Sequence, residues 1–372
     1  MNKVWIIFHS EPYGGGPMKK LVVFILLLAL LTGCAQPPAA ATVAPPPTAQ
    51  PTQAPTTPPQ PPKPTLLTDK LGEAKDLVPT DAEVATAKAV LGTGKIGIIP
   101  CTMGSEYHST VANSAVARAK ELGITAEISD PQAKAEAQIS AIENFVSAGA
   151  KVIMICVLDP AVVKPALQAA VDKGVFIVQT SGRESAINGI GISIEDADLG
   201  CAAGELAGDA INTILGGKAT VAILDYPDLP NVVIRADNIE KCLKEKVPNA
   251  NIVGRFKGGT TDFGQTSMEN ALQAYPDIDV VASINDAGAY GALTALEAAK
   301  KDPAKTIIVG IDAEAHARDL IKAGGMYYGT VDTNPSETGV MGINAAVKLL
   351  AGATVPKNIK VAVVKVTKDT LK

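Results

Sequence analysis

Residues 95–111 read KIGIIPCTMGSEYHSTV. The opening apolar run, Lys95–Cys101, reads as a short strand, and the pattern recurs at Ile124–Ser129, Val152–Val157 and Val175–Thr180. The stretches between these runs are helical in period. From Pro131 to Ala148 the residues Ile139, Ile142, Phe145 and Val146 fall three or four apart, on one helical face. Asp130 stands as an N-cap before Pro131 at the first helical position, and Gly123, Gly149 and Gly174 follow the helices as C-terminal glycines do. The alternation resumes downstream. Ala219–Leu224, Asn251–Phe256, Val280–Ile284, Thr306–Ile311 and Met326–Val331 read as strands, Asn231–Val247 as a helix, and Lys360–Thr367 as a last strand. Near-continuous apolar strands alternating with helices predict parallel sheets covered on both faces. About ten strands in about 280 residues suit two sheets better than one. The two series break near Ile194-Glu195-Asp196, where a hinge is expected. In such sheets a ligand sits beyond the carboxyl ends of the strands.

Outward from this core the composition changes. The chain has 372 residues, a formal net charge of −5 and only 4% aromatic residues. That acidic balance excludes a general nucleic-acid binder, which needs a basic face for phosphates. Residues 21–31 (LVVFILLLALL) follow Met18-Lys19-Lys20 as an unbroken apolar run. The run is too short to span a bilayer and has the form of a secretory signal. It ends in Leu31-Thr32-Gly33-Cys34, which resembles a bacterial lipoprotein signal; that resemblance makes Cys34 the lipidated first mature residue. Residues 1–33 are expected to be leader and signal, with Met18 the true start. Residues 34–64 hold 12 of the 26 prolines among Ala, Thr and Gln, and read as an extended tether to the membrane. Residues 65–93 are expected to be a stalk or a short helical extension, with Thr80–Leu91 as the helical candidate.

Several chemistries fall away. Gly92-Thr93-Gly94-Lys95 lacks the earlier Gly, the following Ser or Thr and the preceding strand of a phosphate loop. No G-x-S-x-G elbow and no H-E-x-x-H occurs. Cys101, Cys156, Cys201 and Cys242 form no C-x-x-C pair and match no zinc spacing. They read as buried thiols, although an extracytoplasmic location permits a disulfide. No enzyme activity, metal or cofactor is expected.

Taken together, KIGIIPCTMGSEYHSTV, Asp130 with Gln138-Ile139 and Ile142, KVIMICVLDP, VASINDAGAYGALTAL, IIVGIDAEA and GTVDTNPSETGVMG resemble the periplasmic sugar-binding proteins of the ribose-binding family. These are the solute receptors of bacterial ABC importers. The resemblance covers residues 95 to 367. It implies an α/β fold, a type I periplasmic binding protein with two Rossmann-like lobes. Parallel sheets flanked by helices would be joined by a three-crossing hinge. The lobes would comprise 94–195 plus 333–357, and 196–332 plus 358–372. It also implies a monomer that closes on a sugar-like ligand, delivers it to an ABC permease and binds no nucleic acid. The DNA-binding segment that the related repressors carry ahead of this core is replaced here by the signal and tether.

Carried over position by position, the resemblance assigns ligand contacts to Arg235, Asn285 and Asp312. In the first lobe the chain departs from the ribose pattern. Ser105, Tyr107 and His108 stand where an Asn and two Phe are expected, Cys156 where an Asn is, and Ser181-Gly182-Arg183 where an Asp-Arg pair is. Thr333 and Asn334 replace a hinge Gln. Unpaired ribose hydroxyls would cost affinity, so another pentose, a hexose, a polyol, a nucleoside or a signalling carbohydrate is as good an expectation as ribose. Cys101 and Cys156 end neighbouring first-lobe strands in this fold, as a disulfide or as a thiol pair lining the cleft.

Overall fold

The computed structural model describes residues 62–180 and 187–371. Cys34, the signal and all but the end of the Pro-rich tract lie outside the described residues. The chain runs β1 (Thr65–Gly72), α1 (Ala74–Leu77), α2 (Asp81–Leu91), β2 (Ile96–Ile99), α3 (Glu106–Glu121), β3 (Ala126–Ile128), α4 (Ala135–Ser147), β4 (Val152–Ile155), α5 (Pro160–Asp172), β5 (Phe176–Thr180) and β6 (Gly189–Ser193). It continues through α6 (Asp196–Ile214), β7 (Thr220–Asp225), α7 (Pro230–Lys246), β8 (Asn251–Lys257), α8 (Thr261–Ala274), β9 (Val280–Ser283) and α9 (Asp286–Ala298). Then come β10 (Ile307–Asp312), α10 (Ala315–Ala323), β11 (Tyr327–Asp332), α11 (Pro335–Leu350), β12 (Thr354–Lys360) and β13 (Val364–Thr367). None of the described helices is long and apolar enough to cross a membrane.

Two sheets result. The first has the order β1-β12-β6-β5-β4-β2-β3 and is parallel throughout. The second has the order β13-β11-β10-β9-β7-β8, parallel except for β13. Each sheet reverses its winding next to its first central strand, between β2 and β4 and between β7 and β9. The period of two along a strand sorts the core. Ile96, Ile98, Met154 and Val178 pack with Val111 and Ala115 of α3 and Leu349 of α11. Their neighbours Ile99, Ile153, Ile155 and Ile177 pack on Ile142 and Phe145 of α4 and Leu167 of α5. All are buried, each Val, Leu, Ile, Met or Phe side chain contributing roughly 1.5–3 kcal/mol. In the second sheet Val221, Ile223 and Val309 face α6 and α7, and Ala222, Leu224 and Ile308 face the opposite layer.

Four readings of the sequence are corrected. Of the two alternatives for residues 65–93 the short helix over Thr80–Leu91 holds, as α2, and the stalk does not: β1 extends the first sheet beside β12, and Leu77, Ala87 and Leu91 enter the core. Helix α2 starts at a capping box in which Thr80 and Glu83 bond each other's backbone N–H, and Lys348 of α11 clamps Glu83 at 2.7 Å. Strand β12 runs on to Lys360, past the expected lobe boundary at 357, because it stays paired with β6 as far as Ser193. The single strand expected over Lys360–Thr367 is therefore two, one in each sheet, with the crossing between them. Helix α4 begins at Ala135 rather than Pro131, because Gln132 and Ala133 take left-handed φ of 53° and 59°. Asp130 instead accepts from the N–H of Gln132 and Met103, tying two loops together.

The four cysteines among the described residues are bridged rather than free, and for Cys101 and Cys156 this is the disulfide alternative. Cys101 bonds Cys156 across the winding reversal of the first sheet, and Cys201 bonds Cys242 between α6 and α7.

A cleft between the strand ends

A cleft of about 1040 Å³ opens beyond the carboxyl ends of the strands, where the chain passes between the two sheets. Ser105, Tyr107, His108 and Thr110 line its first-lobe wall. They share the start of α3, which leaves β2 through the loop that follows the Cys101–Cys156 bridge. The rings of Tyr107 and His108 meet edge to face at 5.2 Å. Burial holds the His108 imidazole below its usual pKa, so it is neutral at pH 7, and its Nδ1 has no hydrogen-bond partner among the described residues.

The second-lobe wall is charged. Asp196 opens α6, Arg235 projects from α7, Asp312 ends β10, Glu314 stands at the N-cap of α10, Arg318 lies on α10 and Asp332 ends β11. Close helix packing makes the first pair possible. A Cβ at Gly200 would lie 2.2 Å from the Arg235 carbonyl oxygen, so only Gly lets α6 approach α7 so closely. Arg235 then donates from Nε to Asp196 at 2.7 Å and from Nη1 to the Ile284 carbonyl at 3.2 Å. Its Nη1 also lies 3.8 Å from Asp312. Arg318 donates to the Ala313 carbonyl at 2.8 Å and to Asp332.

Asp312 is held under tension in two senses. Its backbone adopts φ 117° and that of Ala313 φ 53°, unusual for residues with a Cβ, and such strain persists only when the surroundings impose it. Here the Ala313 N–H donates to Thr330 and the Glu314 N–H to buried Asp286. Asp286 also accepts from Tyr327 and Thr330 at 2.8 and 2.7 Å, and desolvation lifts its pKa to about 6. Desolvation lifts Asp312 further, to about 8; Arg235 opposes the shift, and the like charges of Asp286, Glu314 and Asp332 add to it. About a third of the Asp312 side chain remains open to the cleft.

Of the residues predicted from the sequence, Ser105, Tyr107, His108, Arg235, Asp312, Thr333 and Asn334 all line the cleft. Asn334 is left-handed at φ 54°, its N–H donating to Asp332 at 2.7 Å. Two residues do not. Cys156 is buried in its disulfide and lines a separate small cavity behind His108. Asn285 spends its side chain as the N-cap of α9, accepting from Gly288 N–H at 3.0 Å and donating to the Gly259 carbonyl at 2.9 Å. Ser181 and Arg183 lie outside the described residues. The sequence reading missed Asp196, Glu314, Arg318 and Asp332. Asp196 and Asp332 had one signal, since each sits at an inter-lobe crossing; Arg318 had none.

Comparison with known proteins agrees with this geometry. Residues 96–354 match the family described as periplasmic binding protein domain. The ribose import binding protein of Haemophilus influenzae is 26% identical over 287 residues, 75% of this chain and 94% of that one. The D-apiose import binding protein of Actinobacillus succinogenes is 29% identical over 236 residues, 62% of this chain and 74% of that one. Among solved structures, an ABC transporter periplasmic solute binding protein from Actinobacillus succinogenes with bound D-allose superposes with a TM-score of 0.63. It is 25% identical and covers 74% of this chain and 98% of its own.

Proposed function

We propose, from the premise that this chain belongs to the periplasmic binding protein domain family, that it is a receptor for a sugar or sugar-like solute, which it hands to an ABC importer. The fold is that of the type I periplasmic binding proteins. One observation carries the reading: a single cleft faces a hydroxyl- and ring-bearing wall (Ser105, Tyr107, His108) on one side and a planar-charge wall (Arg235, Asp312) on the other. Carboxylates and guanidiniums bond neighbouring hydroxyls in pairs, and an aromatic ring suits the apolar face of a sugar. Hinge closure would remove the solute from water. The work of such a site is binding, and we read the chain as a carrier, not an enzyme.

In this reading the protein is held outside the cytoplasm by a lipid on Cys34, with residues 35–64 as its tether, and acts as a monomer. The Leu31-Thr32-Gly33-Cys34 sequence supports the anchor, and labelling of wild type but not Cys34→Ala by a radiolabelled fatty acid tests it.

The test of function is a dye-based thermal shift against pentoses, hexoses, polyols and nucleosides. A ligand at a hundred times its Kd adds about 2.7 kcal/mol of stability. A sharp shift with one of them, lost in Asp312→Ala, supports the reading. A folded protein that responds to none rejects a sugar-like solute.

A further inference from the structure

The charge on the cleft wall does not balance. Among the described lining residues, six carboxyl groups (Glu106, Glu195, Asp196, Asp312, Glu314 and Asp332) face two guanidiniums, Arg235 and Arg318, and with Asp312 protonated at neutral pH the acidic groups still outnumber the guanidiniums. No lysine lines the cleft among those residues, and burial holds His108 neutral.

Both guanidiniums are already engaged. Arg235 is bonded to Asp196, and Arg318 to Asp332. Each arginine therefore neutralises one carboxylate and offers little to an incoming anion. Asp312 is left with a guanidinium 3.8 Å away that is bonded elsewhere, and Glu314 accepts a neutral hydroxyl, that of Tyr290, at 3.0 Å. Asp312 and Glu314 are separated by one residue, with buried Asp286 beneath them taking the Glu314 N–H. Three carboxyl groups thus crowd one end of a large cavity, held there by a backbone that two left-handed residues bend into place.

A neutral sugar leaves Asp312 to relieve that crowding by holding a proton, as a pKa near 8 requires at neutral pH. A cationic group near Asp312 and Glu314 takes the place of that proton, and in a site partly closed to water the attraction is far stronger than at a free surface. We infer that the solute of this cleft is polyhydroxylated and carries a protonated amine. The inference rests on the proposed reading of the cleft as a solute site, and it adds the charge of the solute. The same wall disfavours solutes bearing a carboxylate or phosphate.

The experiment measures Kd by calorimetry on the intact protein for matched pairs: neutral pentoses, hexoses and polyols, each against its amino-deoxy counterpart. D-Glucose, D-glucosamine, N-acetyl-D-glucosamine and D-glucuronate form the most informative set. At least one amine is expected to bind tenfold or more tighter than its hydroxyl parent. N-acetylation should abolish the gain, the uronate should bind least, and added salt should narrow the gap. Glu314→Gln keeps an acceptor for Tyr290 and should cut the ratio of amine to neutral affinity about tenfold. Glu195→Gln, on the exposed rim, should cut it less. Neutral members binding as well as their amines would overturn the charge inference and leave the receptor reading standing. No binding by any member, neutral or charged, would overturn both.

Discussion

The two walls of the cleft are built on the same plan and differ in what they present. Each rises from a doubly wound sheet, and each lobe carries a disulfide. The first-lobe wall is mostly hydroxyl and ring, from the starts of α3 and α11 and the end of β6, with Glu106 its one carboxylate; the second-lobe wall is charged, from five elements, and already cross-linked by Arg235–Asp196 and Arg318–Asp332. The difference suggests a division of labour. The second lobe is preorganised to fix charge and orientation, so the ligand does not have to order those groups on arrival. The first lobe supplies shape and closes the site. The disulfides divide likewise. Cys101–Cys156 braces the strand ends that carry the Ser105–Thr110 loop and helix start, whereas Cys201–Cys242 ties two helices beside the second sheet.

The largest expected effect comes from removing those bridges. Their sequence separations of 55 and 41 residues correspond to about 4 kcal/mol of stability each in the chain-entropy model. Cys101→Ser with Cys156→Ser and Cys201→Ser with Cys242→Ser should lower the denaturation midpoint comparably. Only the first pair should weaken ligand binding, by several-fold; equal affinities in the two variants would erase the contrast between the lobes.

Arg235→Ala comes next. It leaves Asp196 and Asp312 facing each other without their shared guanidinium, and calorimetry should show about a 100-fold loss of affinity, equivalent to about 2.7 kcal/mol. The matching change on the first wall, Ser105→Ala, should cost no more than about tenfold, the worth of one neutral hydrogen bond.

Smaller again is the response to pH without ligand. Asp286 and Asp312 titrate near 6 and 8 in the folded protein, above the ordinary carboxylate value. The folded state therefore binds more protons than the unfolded state across that interval. The stability these groups contribute is full below about pH 4 and is lost as pH rises through 6 and then 8. The melting temperature should fall by a few degrees from pH 5 to pH 8.5, and Asp312→Asn should flatten the upper part of the fall. An unchanged slope in that variant would remove Asp312 as the strained member of the charged wall.

The smallest effect is expected at Asn285. Losing the cap of α9 should cost about 1 kcal/mol of stability, read as a small drop in midpoint, with ligand affinity changed less than about threefold. A hundredfold loss of affinity would put Asn285 back among the ligand contacts.

What the sequence by itself determined is the part governed by local periodicity and local stereochemistry. Fully buried parallel strands must be apolar throughout, so Lys95–Cys101 and Val152–Val157 are legible without neighbours. The helical candidate over Thr80–Leu91 is legible from local pattern too, and it forms as α2, Asp81–Leu91. Strand β1 was not, because TLLTDKLG is an edge strand with mostly exposed side chains and no apolar run. The start of α4 was not, because Asp130-Pro131 satisfies the rules for a helix start while two left-handed residues postpone it. Only the tertiary structure decided the bridges and the charged wall. A disulfide needs two Cα atoms close together, here 5.1 Å apart across 55 and 41 residues of chain. Arg235 meets Asp196 from 39 residues away, and only because Gly200 lets two helices touch. Coulomb energy follows distance through space and not along the chain, so which carboxylates pair and which are left for a ligand is settled when the lobes fold.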